Sequence, residues 1–155
     1  MPSPDESWTI TPSTERDREA WGRLYTAYGA SAGDRLDETH LTKVWSWITR
    51  PDGQTRCLLL WRDGEPVGLA HYRLFERPLA GSTGCYLDDL FVEVRLRGRG
   101  GARALLRHLS EVAVAEDWST VRWTTGVTNP ARRLYDSLAD RGPVITYDML
   151  PKPRS

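Results

Sequence analysis

One stretch of the sequence decides the fold, and it reads Cys85-Tyr-Leu-Asp-Asp-Leu-Phe-Val-Glu-Val-Arg-Leu-Arg-Gly-Arg-Gly-Gly-Ala-Arg-Ala-Leu-Leu106. Its first part, residues 86–92, is rich in aromatic and branched side chains and has the length of a β-strand. Its last part predicts an amphipathic helix, because apolar residues recur at helical spacing at Ala102, Leu105, Leu106, Leu109, Val112 and Ala113. The stretch therefore predicts a strand, a glycine-rich turn and a helix in direct succession.

The glycine-rich turn, Arg97-Gly-Arg-Gly-Gly-Ala102, has the features of an anion-binding site. Glycines let backbone N–H groups approach a ligand closely, and the following helix directs its positive N-terminal end at the same place. Such an arrangement most often binds phosphate. The turn lacks the Gly-Lys-Ser/Thr of nucleoside triphosphate sites and the G-x-G-x-x-G spacing of dinucleotide sites, so neither ligand is expected. The alternative is an ordinary glycine turn with solvated arginines.

Length and composition predict one domain over residues 1–155, long enough to bury about two thirds of its unfolded surface without help. The 21 basic and 21 acidic residues balance, so bulk charge favours neither nucleic acid nor a membrane as a partner. No apolar run approaches the ~20 residues of a membrane-spanning helix, and the first residues lack the layout of a signal peptide. We expect a cytoplasmic protein in which Cys57 and Cys85 are buried and reduced.

The rest of the chain mixes strand and helix patterns, which predicts an α/β (α+β) fold. Strands are predicted over residues 8–12, 56–61, 66–75, 86–92, 119–125 and 144–150, and helices over residues 14–29, 37–49, 100–116 and 130–138. Gly29 is expected to end the first helix, and Asp63-Gly64 to form a hairpin turn. Asn129 and Pro130 are expected to begin the last helix. Residues 29–35 and 76–84 are expected to be loops.

The central stretch resembles the acyl-CoA-binding core of the GNAT acetyltransferase superfamily. Residues 97–102 match the family pattern Arg-x-x-Gly-x-Gly/Ala; Leu90-Phe-Val92 precedes them, and Asn129-Pro-Ala and Leu134-Tyr135 follow. The resemblance covers essentially the whole chain and implies a mixed, mostly antiparallel sheet with helices on both faces. The likeness extends to histone/polyamine and diamine (spermidine/spermine) acetyltransferases through the run of residues 87–92. The family usually has a second strand after its last helix, for which this sequence offers no convincing candidate.

The resemblance implies acetyl-CoA as co-substrate and implies no metal. The amides of the glycine turn would face the pyrophosphate, and residues 90–92 would pair with the pantetheine, one amide polarising the thioester carbonyl. The residues implied in this binding are Leu90, Phe91, Val92, Arg97, Gly98, Arg99, Gly100, Gly101, Ala102, Arg103, Thr128 and Asn129. Asn129 lies one position closer to Tyr135 than the family asparagine does, and Thr128 occupies the family position. Either Thr128 or Asn129 could therefore take that role, and Asn129 is preferred for its fit to a helix start.

The resemblance also implies the catalytic groups. Tyr135 matches the general acid that protonates the departing thiolate. Asp88 matches the acidic residue of polyamine-type members, and Asp89 matches the aspartate after it. Adjacent strand residues point to opposite faces, so at most one carboxylate should face the substrate unless a bulge intervenes. Asp88 is the expected base, although the carboxylate could instead only attract a cation while water takes the proton.

Other polar and aromatic residues receive weaker interpretations. His40, His71 and His108 are scattered, match no metal spacing and are assigned no role. Trp47 lies off the apolar stripe of its helix and could contact an amine or a partner subunit.

The expected function is acetyl transfer from acetyl-CoA to a primary amine of a small cationic or polyamine-like molecule, by direct attack in a ternary complex. The alternatives are acetylation of a protein lysine or N-terminus, and a non-catalytic acyl-CoA-binding module. A homodimer is expected through the open edge of the strand at residues 144–150, because exposed edges invite pairing and similar polyamine-type enzymes are dimers.

Overall fold

The glycine turn of the sequence joins a long strand to a long helix, as expected, in a computed structural model that describes residues 8–153. The strands are β1 (Thr9–Pro12), β2 (Arg56–Arg62), β3 (Glu65–Arg77), β4 (Ser82–Val92) and β5 (Val121–Arg122). The α-helices are α1 (Arg18–Ser31), α2 (Glu38–Thr49), α3 (Gly101–Ala115) and α4 (Arg132–Leu138). Short 3-10 helices lie at Glu15–Asp17, Pro78–Ala80 and Val94–Leu96.

The five strands form one mixed sheet in the order β1-β2-β3-β4-β5. The first four pair antiparallel with their neighbours. β5 pairs parallel with β4, and only through Cys85 with Val121 and Tyr86 with Arg122. The sheet is therefore mixed and mostly antiparallel, which confirms the predicted fold class.

Helices cover both faces of the sheet. On one face, buried side chains of α1 and α2 form a core with alternate residues of the strands, namely Trp21, Leu24, Leu41, Val44, Cys57, Leu59, Leu69 and Phe91. On the other face, α3 buries Leu105 and Leu109 completely. A Cβ atom on Gly101 would lie 2.9 Å from the Leu60 side chain and 3.4 Å from that of Val92. The start of α3 therefore packs directly against the sheet. Burial of Leu105 and of Leu109 each contributes roughly 1.5–3 kcal/mol to the free energy of unfolding.

The chain forms two compact units, the larger ending at Thr124 and the smaller beginning at Thr125. The larger unit holds the sheet and the first three helices, and the smaller one holds α4. In the described part of the chain, no helix is both long and apolar enough to cross a membrane.

The prediction of a strand over residues 144–150 is wrong. Residues 139–153 contain no helix or strand. The large apolar side chains of this segment are 80–92% exposed, and they are Val144, Ile145, Tyr147, Met149 and Leu150. Branched and aromatic residues favour a strand only where a neighbouring strand and a packed face are available. Within residues 8–153 no strand pairs with this segment, so its local strand propensity does not produce a strand.

Several boundaries also differ from the sequence predictions. β3 and β4 extend to Arg77 and from Ser82, so the expected loop over residues 76–84 is instead a tight connection. Gly81 closes that connection with a left-handed backbone (φ 59°), which glycine adopts readily. β5 is shorter than predicted, and α4 begins at Arg132 because Pro130 lies in the preceding turn.

The prediction that Gly29 ends α1 is wrong, because the helix continues to Ser31. Gly29 is buried, and a Cβ atom there would lie 2.7 Å from Cγ of Leu36. The carbonyl of Gly29 also accepts a hydrogen bond from the Asp34 amide at 2.8 Å. The glycine therefore lets the α1–α2 connection fold back against the helix.

We expect alanine substitutions at the two buried glycines of α1 to have opposite effects on stability. Replacing a helix-interior glycine by alanine gains about 0.5–1 kcal/mol. At Gly22 the new Cβ would meet the far end of the long Arg18 side chain at 2.7 Å and Leu41 at an ordinary 3.9 Å, so Gly22→Ala should raise the free energy of unfolding. At Gly29 it would meet the branched Leu36, and overpacking costs ~1–3 kcal/mol, so Gly29→Ala should lower it. Urea unfolding measures both changes, and an equal rise in the two variants would contradict the packing of Leu36.

Candidate active site

A β-bulge brings both acidic residues of β4 to the same face of the sheet. His71 on β3 lies opposite Asp89, but Tyr72 lies opposite Leu87, so Asp88 is an extra residue without a partner in the ladder. Without the bulge, strict alternation would separate the two carboxylates. With it, both lie towards α1, where each raises the pKa of Tyr25 through its negative charge. The bulge expected as the exception to strict alternation is therefore present, and the two carboxylates share one face of the sheet.

Asp88 is paired with an arginine. The Nε of Arg73 donates to Oδ2 of Asp88 at 3.0 Å and lies 3.3 Å from Oδ1. The Arg73 guanidinium also lies over the ring of Tyr86, 4.7 Å from its centroid. The Tyr86 hydroxyl lies 3.3 Å from the hydroxyl oxygen of Thr124. The charge of Asp88 is thus balanced within its own surroundings.

Asp89 has a different partner. Its Oδ2 lies 2.8 Å from Nδ1 of His71, and Nε2 of His71 accepts a hydrogen bond from the Trp21 indole at 2.8 Å. The His71 side chain is almost wholly buried, whereas that of Asp89 is 21% exposed. A chain of hydrogen bonds therefore runs from the core to a carboxylate that reaches solvent.

Aromatic side chains of α1 pack beside His71, the partner of this carboxylate. The Tyr25 ring meets His71 edge-on at 4.8 Å between centroids and stacks on Tyr28 at 6.0 Å. Burial, followed by the negative charges of Asp89 and Asp88, raises the pKa of Tyr25 to about 12. Tyr25 thus keeps its proton at neutral pH. Aromatic faces beside an anion form an environment that attracts organic cations.

One edge of β4 has no strand paired with it beyond Tyr86 within residues 8–153. β5 pairs with β4 only at Cys85 and Tyr86, and no other strand of residues 8–153 adjoins β4 on that side. Unpaired amides and carbonyls along a strand edge can pair with an extended ligand as another strand would.

The direction of each backbone group follows from the ladder with β3. The Glu93 amide donates to the Val67 carbonyl on the β3 side at 2.9 Å. Because hydrogen-bonding directions alternate along an antiparallel strand, Phe91 also faces β3, whereas Leu90 and Val92 face the uncovered edge. Of the three residues assigned to the pantetheine, only Leu90 and Val92 therefore direct their backbone groups to the open side, and the Val92 carbonyl there already accepts a hydrogen bond from Arg97.

The glycine turn has the backbone of an anion site. Gly98 and Gly100 adopt left-handed conformations, with φ of 75° and 89°, which side chains with a Cβ atom rarely adopt. The first hydrogen bond inside α3 runs from the Ala104 amide to the Gly100 carbonyl. The amides of Gly101 and Ala102 precede that bond and lie in the first helical turn, where the helix dipole favours an anion.

Two side chains hold the turn in place. The Trp8 indole donates to the Arg99 carbonyl at 3.2 Å. Nε of Arg97 donates to the Val92 carbonyl at 3.3 Å, which ties the turn to the end of β4. The Arg99 side chain is exposed, and Arg103 is half-buried in the first turns of α3. These contacts hold residues 97–103 in a defined position at the end of β4.

The remaining predicted site residues belong to the smaller unit. Asn129 shapes the start of α4, because its Oδ1 accepts from the Ala131 amide at 3.0 Å and its Nδ2 donates to Thr125 at 2.9 Å. Thr128 is exposed in the same turn. Tyr135 lies on α4, and burial raises the pKa of its phenol, so the proton stays on the oxygen at neutral pH.

Some residues singled out in the sequence lie apart from this arrangement. The Trp47 ring is contacted by Lys43 of its own helix, 5.6 Å from the ring centroid. Cys57 and Cys85 are buried as expected, and burial raises their thiol pKa values to about 12 and about 11. Among residues 8–153, no group of histidine, cysteine and acidic side chains could hold a metal ion.

Sequence reasoning missed His71, Trp21 and Tyr25 as neighbours of the acidic pair. His71 was assigned no role, yet it is a polar residue at a buried position of a hydrophobic strand, which was a usable signal. Its partner Asp89 follows only from the bulged register, which the sequence does not reveal.

The family comparison agrees with this geometry. The model of the acetyltransferase (GNAT) family matches residues 18–139. No curated protein matches the chain.

Solved structures share the fold at low sequence identity. The ribosomal-protein-alanine N-acetyltransferase of Brucella melitensis biovar Abortus 2308 is 21% identical, with a TM-score of 0.79 over 92% of this chain and 98% of that one. A probable acetyltransferase is 20% identical, with a TM-score of 0.82 over 95% and 99% of the two chains. The aminoglycoside acetyltransferase HMB0005, from an uncultured soil metagenomic sample, is 20% identical, with a TM-score of 0.75 over 94% and 99%.

The left-handed glycines before α3, the open edge of β4 and the family match lead to one conclusion: the chain belongs to the GNAT acetyltransferase family and is an N-acetyltransferase.

Proposed function

We propose that the protein transfers an acetyl group from acetyl-CoA to a primary amine of a small cationic or polyamine-like substrate, by direct attack in a ternary complex. The observation that carries the proposal is the carboxylate of Asp89. It is partly exposed, its charge raises the pKa of Tyr25 on α1, and it directly precedes Leu90, whose backbone faces the open edge of β4. The acceptor amine and the thioester would therefore meet within one residue of each other along the strand.

The reaction forms one C–N bond and breaks one C–S bond. An ammonium group entering the site gives a proton to a base and attacks the thioester carbonyl with its lone pair. The products are an acetylated amine, the CoA thiol and one proton. Asp89 fits the base better than Asp88, the residue expected from the sequence, because Arg73 already neutralises Asp88. Asp88 and Arg73 would then help to shape the acceptor site.

The backbone of residues 90–103 would hold acetyl-CoA, the co-substrate of the family. The backbone of Leu90 and the amide of Val92 would pair with the pantetheine along the open edge, and one of these amides would polarise the thioester carbonyl; the Val92 carbonyl is bound to Arg97. The turn amides of Gly98 to Arg103 would bind the pyrophosphate. Their left-handed glycines support this assignment, because a side chain at those positions would strain the turn.

Tyr135 is proposed as the general acid that gives a proton to the departing sulfur. Support comes from its match to the family pattern and from burial, which keeps the phenol protonated at neutral pH. Asn129 and Thr128 remain the proposed residues for the family asparagine role. The two Asn129 hydrogen bonds favour a part in shaping the turn before α4.

The sequence expectations of one domain, a homodimer and a cytoplasmic location are kept here as further proposals. The family match spans both compact units, which supports one N-acetyltransferase domain over residues 1–155. Two free buried thiols fit a reducing cytoplasm. A homodimer is also proposed, although the strand edge first expected to form it is absent. Its support is now the exposed apolar side chains between Val144 and Leu150.

Acetylation of a protein N-terminus or lysine is the alternative, favoured by the similarity to the ribosomal-protein-alanine enzyme. A panel of acceptors separates the two functions: spermidine, an aminoglycoside, and peptides with an N-terminal alanine or an internal lysine. We expect thiol release from acetyl-CoA with spermidine or the aminoglycoside and little with the peptides. Turnover of the peptides alone would contradict the small-molecule assignment.

We expect the two acidic residues to differ when each becomes an amide. Asp89→Asn keeps an acceptor for His71 but removes the charge and the base, so kcat/KM for the amine should fall about a hundredfold. Asp88→Asn loses only a partly exposed pair with Arg73 and should change kcat/KM by no more than a few-fold. Steady-state kinetics with the best acceptor of the panel measures both, and calorimetry should find acetyl-CoA affinity unchanged. A larger loss for Asp88→Asn would return the base to Asp88.

Tyr135→Phe should lower kcat about a hundredfold, because general acid catalysis typically contributes ~10²–10⁴-fold and a thiolate is a good leaving group. Acetyl-CoA binding should be unchanged, since only a hydroxyl is removed. Tyr147→Phe is the matched control, because Tyr147 is an exposed tyrosine of the same unit. If Tyr135→Phe retains more than half of the wild-type kcat while chemistry limits the rate, Tyr135 is a packing residue.

A further inference from the structure

The hydrogen-bonded chain behind Asp89 is buried and crosses three elements. Trp21 on α1 and His71 on β3 are 0% and 1% exposed, and they reach Asp89 on β4 through two contacts of 2.8 Å. In the described part of the chain, His71 is the one polar or charged side chain classed as buried. A buried imidazole is costly unless both ring nitrogens have partners, and here both do.

The partners fix the position of the proton on His71. An indole N–H can only donate, so Nε2 of His71 must be an acceptor without a proton. The single proton of a neutral imidazole then lies on Nδ1 and is donated to Asp89. A doubly protonated ring would set its Nε2–H against the indole N–H. The geometry therefore selects one neutral tautomer and opposes the imidazolium.

This choice decides the charge at the acceptor site. Asp88 and the Arg73 guanidinium form a pair without net charge. An imidazolium at His71 would balance Asp89 in the same way and leave nothing to attract an ammonium group. A neutral imidazole instead orients Asp89 through one oxygen and leaves its full negative charge.

We infer that Trp21 and His71 are positioning residues, which hold the imidazole neutral so that Asp89 presents an uncompensated, oriented carboxylate to the acceptor amine. The inference rests on the proposed role of Asp89 in binding and deprotonating the amine. Trp21 and His71 act only through Asp89 and do not touch the substrate. The Oδ2 atom of Asp89 is occupied by His71, which leaves Oδ1 for the amine.

Other titratable groups face this pair from every neighbouring element. They are Tyr25 on α1, His40 on α2, Cys57 on β2, Arg73 on β3 and Asp88 on β4. Tyr25 and Cys57, with pKa values of about 12, do not ionise near neutral pH. Neither group therefore adds a change of charge to the imidazole signals near neutral pH.

The first arm of the test is side-chain nitrogen NMR of histidine-labelled protein. In the wild type near neutral pH we expect His71 to carry its proton on Nδ1 alone. In Trp21→Phe the indole donor is lost and the vacated space admits water, so His71 should take up a second proton as pH falls. His40 and His108 are internal comparisons in the same spectra. A wild-type His71 protonated on Nε2 would overturn the inference, and this result requires no variant to fold.

The second arm is kinetic. At about pH 6, Trp21→Phe should raise the KM for spermidine, or for the best acceptor of the panel, about tenfold. A tenfold change is the low end of the effect that one opposite charge has on the proton affinity of a neighbouring carboxylate. The KM for acetyl-CoA should not change, and the defect should shrink towards about pH 8 as the imidazole loses its proton. Trp45→Phe is the matched control, because Trp45 packs on Trp21 at 4.9 Å but has no bond to His71. A pH-independent defect, or the same defect in Trp45→Phe, would show a packing role only and overturn the inference.

The two arms separate this inference from the proposed function. If His71 has the expected tautomer but Asp89→Asn leaves turnover intact, the role of Asp89 fails and the imidazole assignment stands. If Asp89→Asn abolishes turnover but His71 is charged in the wild type, the inference fails and the proposed function stands.

Discussion

The extra residue in β4 is the constraint on which the candidate site depends. One unpaired residue, Asp88, shifts the register so that Leu87 still faces α3 while Asp88 and Asp89 both face α1. The core on both sides of the sheet keeps its alternation, and two polar groups share a face without exposing an apolar one. The same shift sets Asp89 opposite His71. A strand without the bulge would build the same sheet and no acidic pair.

Much of the fold follows from local patterns, because helices and hairpins are determined by nearby residues. The 3.6-residue stripe of α3, the Asp63-Gly64 turn and the alternation of β2 all identify their elements. The sequence predictions fail where residues distant in the sequence determine the local structure. Residues 144–150 have strand propensity without a strand neighbour, and Gly29 has the residue type of a helix end but serves the packing of Leu36.

The candidate site likewise has a part that local sequence predicts and a part that depends on tertiary contacts. The glycine turn was predictable because backbone conformation follows from Gly98 and Gly100 themselves. The contrast between Asp88 and Asp89 was not, because it depends on Arg73 and His71 across a bulged register. His71 matches no metal-binding spacing, so its one sequence signal is its place in a hydrophobic strand. The charge of a carboxylate depends on which neighbour it meets, and that is a property of tertiary structure.

The short pairing of β5 with β4 has a consequence for the stability of the protein and for its tendency to aggregate. Beyond Tyr86 the sheet has a gap on one side, with backbone groups of Leu90 and Val92 directed into it. An extended ligand that occupies the gap takes the place of a missing strand, so its binding free energy adds directly to the free energy of unfolding, as RT ln(1 + [L]/Kd). Depletion of that ligand would leave a bare strand edge, the kind of surface from which aggregation begins. With acetyl-CoA bound at this edge, as proposed above, the abundance of the folded enzyme would depend on the supply of its own co-substrate.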